Sequence, residues 1–229
     1  RVAVLDYLGS LCPITLGHVQ CIVEAHKILT GDALPLGEAE FTPFGGCIAL
    51  IHVNGDSYVS RKLTAKGEKA ISTLDRLMLC ELATVQYPWV HCENIDLGTW
   101  LQSLQKKFVG LQFVRWYLNG ADDVAKYHKW EDARADSRYI TMGRPGHTQL
   151  VLDAIRKNQT PAEYFLVGPE LPDISSTDAR AALARGDTAK LATLLHPSVT
   201  KWCQTKGPWR NERNQQDVPP ISYAVVSRP

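Results

Sequence analysis

The chain has 229 residues, 45% of them hydrophobic, and a formal net charge of +1. That length builds one large domain or two small ones with a sizeable core. It lacks the basic excess of a duplex binder and the ~18-residue apolar run of a membrane span, so neither nucleic acid nor membrane is an expected partner.

Residues Val2 to Tyr7 form an apolar run ending in Gly9-Ser10, the pattern of a buried parallel strand running into a loop. A helix is expected from His18, carried by Val19, Ile22, Val23, Ile28 and Leu29. The Gly- and Pro-rich segment from Gly31 to Gly46 is expected to be a loop, mobile without ligand. Cys47 to Val53 gives a second strand, closed by the turn signal Asn54-Gly55-Asp56. Ile71, Leu74, Leu77, Met78, Leu82 and Val85 give helical periodicity over Glu68 to Val85.

Further strands are expected at Trp89 to Cys92, Phe113 to Leu118, Tyr139 to Met142 and Tyr164 to Val167. Helical patterns lie at Trp100 to Phe108, Gln149 to Lys157, Thr177 to Arg185 and Val199 to Gln204. Alternation of apolar strands with helices predicts an α/β fold: a Rossmann-like, doubly wound parallel sheet in a single domain. That domain spans 1–207, and 208–229 is expected to be an extended C-terminal tail.

The six cysteines make no C-x-x-C pair, which argues against zinc and for reduced, buried thiols in an intracellular protein, cytoplasmic or nuclear. No signal peptide is visible, and with Arg1 directly before an apolar run the native start is expected to be missing. Oligomeric state is not legible.

In open α/β folds, ligands bind at the carboxyl ends of strands. The first such loop runs from Gly9 to His18 and has neither G-x-G-x-x-G nor a P-loop. It does hold Thr15-x-Gly17-His18 at a helix start, where free N–H groups suit a phosphate and Gly17 admits close approach. A plain N-cap by Thr15 accounts for the motif equally well. Near the other end stands Ile174-Ser175-Ser176-Thr177-Asp178-Ala179-Arg180, with Ser176 or Thr177 as the expected N-cap and Arg180 one turn in. Hydroxyls, helix N–H groups and a guanidinium would there converge on an anion.

Together, T-x-G-H after the first strand and I-S-S-T-x-x-R near the end resemble the nucleotidyltransferase superfamily. More narrowly, they resemble the nicotinamide/nicotinate mononucleotide adenylyltransferases of the eukaryotic type. The order of segments extends the likeness from about Val2 to Gly207: Gly9-Ser10-x-x-Pro13-Ile14-Thr15, Gly55-Asp56-Ser57-Tyr58, Arg76-x-x-x-x-Glu81-Leu82-Ala83, Trp100, Gly120-Ala121-Asp122, Trp130, Arg144-Pro145-Gly146 and Leu194 to Val199. Two departures stand out. The family's lysine-rich stretch after G-D-x-Y reads Val59-Ser60-Arg61-Lys62, and Leu101 replaces an acidic residue after the tryptophan.

The resemblance implies transfer of AMP from ATP to nicotinamide or nicotinate mononucleotide, releasing pyrophosphate, with Mg2+ bound alongside ATP. The attacking phosphate oxygen is already ionised near neutral pH, so alignment and charge neutralisation suffice without a strong base. The implied catalytic groups are His18 and Arg180. ATP would be held by Gly9, Ser10, Thr15, Gly17, His18, Gly120, Asp122, Ser176, Thr177 and Arg180. The mononucleotide would be held by Tyr58, Lys62, Trp100, Trp130 and Arg144, a tryptophan stacking on the pyridine ring. No protein metal site is expected. Trp116, mid-strand, is expected in the core, and His52, His91, His128, His147 and His196 are expected to be structural or solvated, with no carboxylate partner readable near them. Related transferases acting on phosphopantetheine or phosphocholine, and a non-catalytic nucleotide-binding or chaperone-like protein, are the alternatives.

Overall fold

The computed structural model describes residues 1–37 and 40–209, and it is an α/β molecule built on one six-stranded, wholly parallel sheet. The strands are β1 (Val2–Gly9), β2 (Cys47–Val53), β3 (Val90–Cys92), β4 (Phe113–Gly120), β5 (Arg138–Gly143) and β6 (Phe165–Glu170). Their spatial order, β3-β2-β1-β4-β5-β6, is that of a Rossmann-like doubly wound sheet. The order reverses between β1 and β4, and the crevice at such a switch point is where ligands bind.

The helices are α1 (Leu16–Thr30), α2 (Asp56–Thr64), α3 (Thr73–Thr84), α4 (Leu97–Lys107), α5 (Ala121–Tyr127), α6 (Thr148–Lys157), α7 (Ser176–Arg185), α8 (Thr188–Leu194) and α9 (Pro197–Thr205), with a 3-10 turn at Lys129–Asp132. The expected strands all form. The short helices α2, α5 and α8 and the 3-10 turn escape periodicity, because at four to nine residues they offer about two and a half turns at most. The helix expected from Glu68 begins only at Thr73, capped by Ser72, whose hydroxyl accepts from the Asp75 amide.

The two faces of the sheet are covered differently. Ala3, Leu5 and Tyr7 of β1 point to the main core with Ile22 and Ile28 of α1, Leu79 of α3, Ala182 of α7, Leu191 of α8 and Trp202 of α9. Trp116 belongs to this core and is fully buried, as expected. On the opposite face the cover comes in two patches. Leu97, Trp100 and Leu101 of α4 pack on Val4 and Leu50. Val124 of α5, Trp130 and Val151 of α6 pack on Phe165 and Val167. Between these patches the strand residues Asp6, His52, Arg115 and Tyr117 line a cavity of about 870 Å3.

The segment after α1 returns under the amino-terminal ends of the strands, where the Phe44 amide donates to Leu29 O and the Gly45 amide to Arg1 O. It lies at the end of the sheet away from the strands' carboxyl termini. Of the expected tail, residues 210–229 lie outside the described residues. Trp209 is buried in the main core, and its indole N–H donates to Lys69 O at 2.8 Å. Four of the six cysteines, Cys12, Cys47, Cys80 and Cys203, are buried, and burial pushes the Cys47 and Cys203 thiols up to about 12. Among the described residues no helix is long and apolar enough to cross a membrane.

Candidate active site at the carboxyl end of the sheet

The first loop leaves β1 through a buried Leu11 in the left-handed region, at φ 41°, and a cis Cys12–Pro13 bond. Side chains distant in sequence hold its carbonyls. Arg76 Nη1 donates to Ser10 O at 3.1 Å, Arg180 Nη1 to Cys12 O at 2.7 Å, and Ser176 Oγ to Pro13 O at 2.8 Å. Arg76 is itself fully buried and also reaches Asp56 at 2.9 Å. The loop is thus clamped between α3 and α7, and a left-handed non-glycine residue, costing about 1–3 kcal/mol, persists only in such surroundings.

Thr15 caps α1. Its side chain accepts from the His18 amide at 3.4 Å, and its own amide donates to His18 Nδ1 at 3.0 Å. Thr15 is thus the N-cap of α1, and from its buried position it orients His18. An Nδ1 that accepts an amide proton is unprotonated, so the neutral ring carries its proton on Nε2. Burial, reinforced by the nearby Arg144 charge, lowers the His18 pKa from 6.5 to about 4.

His18 and Tyr7 form the wall between two cavities. One, about 230 Å3, is lined by Gly9, Ser10, Lys62, Lys66, Ser176, Thr177 and Arg180. The other, about 170 Å3, is lined by Gly17, Gly120, Asp122, Met142, Arg144 and Ile174. The first carries three cations and two hydroxyls of a helix's first turn, a setting for phosphate. Burial raises the Tyr7 pKa well above 10, so its hydroxyl stays a neutral donor.

The structure places several of the expected residues in contacts that the sequence did not show. The N-cap of α7 is Ser175, whose hydroxyl accepts from the Asp178 amide at 3.1 Å, which leaves Ser176 and Thr177 in the first turn. Arg180 is 4% exposed and already committed, donating to Cys12 O, to Glu68 at 2.6 Å and to Thr177 at 3.2 Å; its buried Nε has no partner. Gly17 is tightly packed: a Cβ there would stand 3.0 Å from Ile174 Cβ and 3.2 Å from Ile174 O, so Ile174 would have to give by a few tenths of an ångström.

Arg144 lines the smaller cavity beside Asp122, to which it pairs at 2.8 Å, and its other nitrogen reaches Asp173 at 3.1 Å. Lys62 lies 3.4 Å from Ser10 Oγ, whereas Tyr58 is 48% exposed and lines neither cavity. Trp100 packs beside His91, and Trp130 is buried with His128 stacked on it, in two separate clusters. The structure does not bring the two tryptophans together.

His52 does have a carboxylate: Asp6 Oδ1 lies 3.3 Å from its Nε2, across adjacent strands, and His128 lies 3.8 Å from Glu131. The overlooked members of the site are Tyr7, Lys66, Glu68 and Arg76. Sequence offers one signal for the Asp6 cluster, an aspartate inside the apolar run of β1 that burial obliges to find a partner.

Fold and site together define a Rossmann-like α/β protein with a cationic cavity at the carboxyl end of its sheet, around the first loop and the start of α7. Comparison with known proteins narrows this. The chain is 29% identical over 150 residues, 59% of its own length and 70% of the relative's, to a protein named probable nicotinate-nucleotide adenylyltransferase from Anaeromyxobacter dehalogenans strain 2CP-1. A protein of the same name from Anaeromyxobacter sp. strain K matches equally, and one from A. dehalogenans strain 2CP-C is 29% identical over 130 residues, 51% of this chain and 60% of the relative. No family model matches the chain.

Proposed function

We propose that this protein is an adenylyltransferase that transfers AMP from ATP to nicotinamide or nicotinate mononucleotide, giving the dinucleotide and pyrophosphate by in-line attack without a covalent intermediate. The observation that carries this reading is the 230 Å3 cavity where the first loop, His18 and the first turn of α7 converge with Lys62, Lys66 and Arg180. The names of the bacterial relatives support the same chemistry. The motif order resembles the eukaryotic branch, and the reaction is common to both.

In this reading Ser176, Thr177, Arg180 and the two lysines hold the β- and γ-phosphates, the leaving pyrophosphate. His18 offers Nε2–H to the charge that develops on the transferring phosphate, and as a neutral donor it needs no protonation near pH 7. Gly9 and Ser10 lie beside the reacting phosphate. The smaller cavity takes the nucleoside of ATP, with Asp122 as an acceptor for ribose or adenine and Arg144 held against it. The acceptor nucleotide enters from the 870 Å3 cavity across the switch point. Holding two bound nucleotides in line supplies about 7–11 kcal/mol of the barrier.

Magnesium would arrive on the triphosphate and spread its charge, with phosphate oxygens and water as most of its ligands. Among the described residues no three His, Cys, Asp or Glu side chains gather at one point.

The test is pyrophosphate release with ATP, magnesium and each mononucleotide, with dinucleotide followed in the same tube. Coupled appearance of both is expected. A folded sample that binds ATP and yields neither product overturns the reading and directs the search to phosphopantetheine or phosphocholine.

A further inference from the structure

The cavity of about 870 Å3 contains none of the side chains that the sequence pattern assigns to ATP or the mononucleotide. It abuts the candidate site on both sides of the switch point. Leu8 lines it and Gly9 lines the phosphate cavity; Asn119 lines it and Gly120 lines the nucleoside cavity. A ligand bound here would therefore reach the first loop from the opposite face of the sheet.

Two features describe the occupant. Leu8 is an apolar side chain left 59% exposed in a lining that also holds Val53, Ile95, Leu118 and Tyr117, which suits the flat face of a ring. The second feature is charge. Asp6, Asp96 and Asp123 face Arg115 and Lys129, so three carboxylates meet two cations. Both cations are already committed. Arg115 donates to Asp6 through Nε at 2.9 Å and through Nη2, and its guanidinium lies 4.0 Å from the Tyr117 ring centre. Lys129 Nζ sits 2.5 Å from Asp123 and 2.5 Å from Asn119. Asp96 accepts from Thr99, which holds its carboxyl below the usual range and keeps it ionised. His52 adds no charge near neutral pH, because burial outweighs the Asp6 carboxylate and lowers its pKa.

We infer that this cavity takes the base of the acceptor nucleotide and selects a neutral carboxamide over a carboxylate, nicotinamide over nicotinate mononucleotide. The inference rests on the adenylyltransferase reading above. A nicotinamide ring brings one positive charge, on the pyridinium, into a lining with one net negative charge. A nicotinate ring adds a carboxylate that finds no uncommitted cation, and breaking Lys129 from Asp123 to serve it strands a carboxylate in turn. The acceptor in the names of the bacterial relatives is thus the one this chain disfavours.

The experiment compares the two mononucleotides, by calorimetric binding and by kcat/KM with ATP and magnesium. It is run on the protein and on the variants Asp123→Asn and Asp96→Asn. Both positions are solvent-facing, and asparagine caps α4 as aspartate does, so folding is not at risk. Nicotinamide mononucleotide should be favoured about tenfold, and each variant should shift that ratio toward nicotinate by about three- to tenfold, the size expected of one charge several ångströms away in partly wet protein. Equal use of the two acceptors, a preference for nicotinate, or ratios unmoved by both variants would overturn the inference. Binding of neither mononucleotide by protein that binds ATP overturns the adenylyltransferase reading with it. Binding in the expected ratio without dinucleotide formation upholds the cavity and overturns that reading alone.

Discussion

At the scale of single residues, the site depends on which tautomer and charge His18 carries. Its Nδ1 faces the Thr15 amide, and burial depresses its pKa to about 4. In a nuclear magnetic resonance titration of the free protein, the His18 ring should change state near pH 4, well below an exposed histidine. The linkage follows with a definite sign. A histidine near 6.5 when unfolded and near 4 when folded takes up its proton first in the unfolded chain. Its contribution to stability is complete above about pH 6.5 and is lost as pH falls through 4, so the melting temperature should fall across that window. His18→Ala should lower kcat by about 10²–10³, the cost of one donor aimed at developing charge, and should also lower the melting temperature above pH 7, because it removes the acceptor of the Thr15 amide at the start of α1. An unchanged kcat would remove His18 from the mechanism.

At the scale of elements, helix starts position the chemistry. The N-cap positions of α1, α5 and α7, Thr15, Gly120 and Ser175, all lie at the carboxyl edge of the sheet. Gly17 sets the distance between α1 and the segment entering α7, so Gly17→Ala forces Ile174 and its carbonyl back. Urea denaturation should show a loss of about 1–3 kcal/mol, the usual cost of overpacking, and the KM for ATP should rise because Gly17 and Ile174 both line the nucleoside cavity. Ser175→Ala removes the true cap of α7 and should cost about 0.5–2 kcal/mol, whereas Thr177→Ala, which caps nothing, should act on ATP binding with less effect on stability.

At the scale of the whole molecule, distant segments close the site. Trp209 packs in the main core and holds Lys69 O, beside Lys66 and Glu68, so the end of the described chain braces the wall of the phosphate cavity. Trp209→Ala should cost about 3–5 kcal/mol in thermal or denaturant unfolding. It should also weaken ATP binding, since Glu68 pairs with Arg180. Stability lost with ATP affinity intact would show that the brace is structural alone.

The sequence by itself determined the parallel sheet, since apolar strands alternating with helices can only be buried on both faces. It also determined the first-loop and α7 motifs, because caps and helix starts are set by residues three or four positions apart. Even there it misplaced the α7 cap by a residue, among three consecutive hydroxyls that are all good candidates. Only the tertiary structure decided where the long-range partners lie. Arg180 meets Cys12 across 168 positions and Arg115 meets Asp6 across 109. Those contacts follow from strand order and register, and from the cost of burying a charge unpaired, neither of which a local pattern encodes.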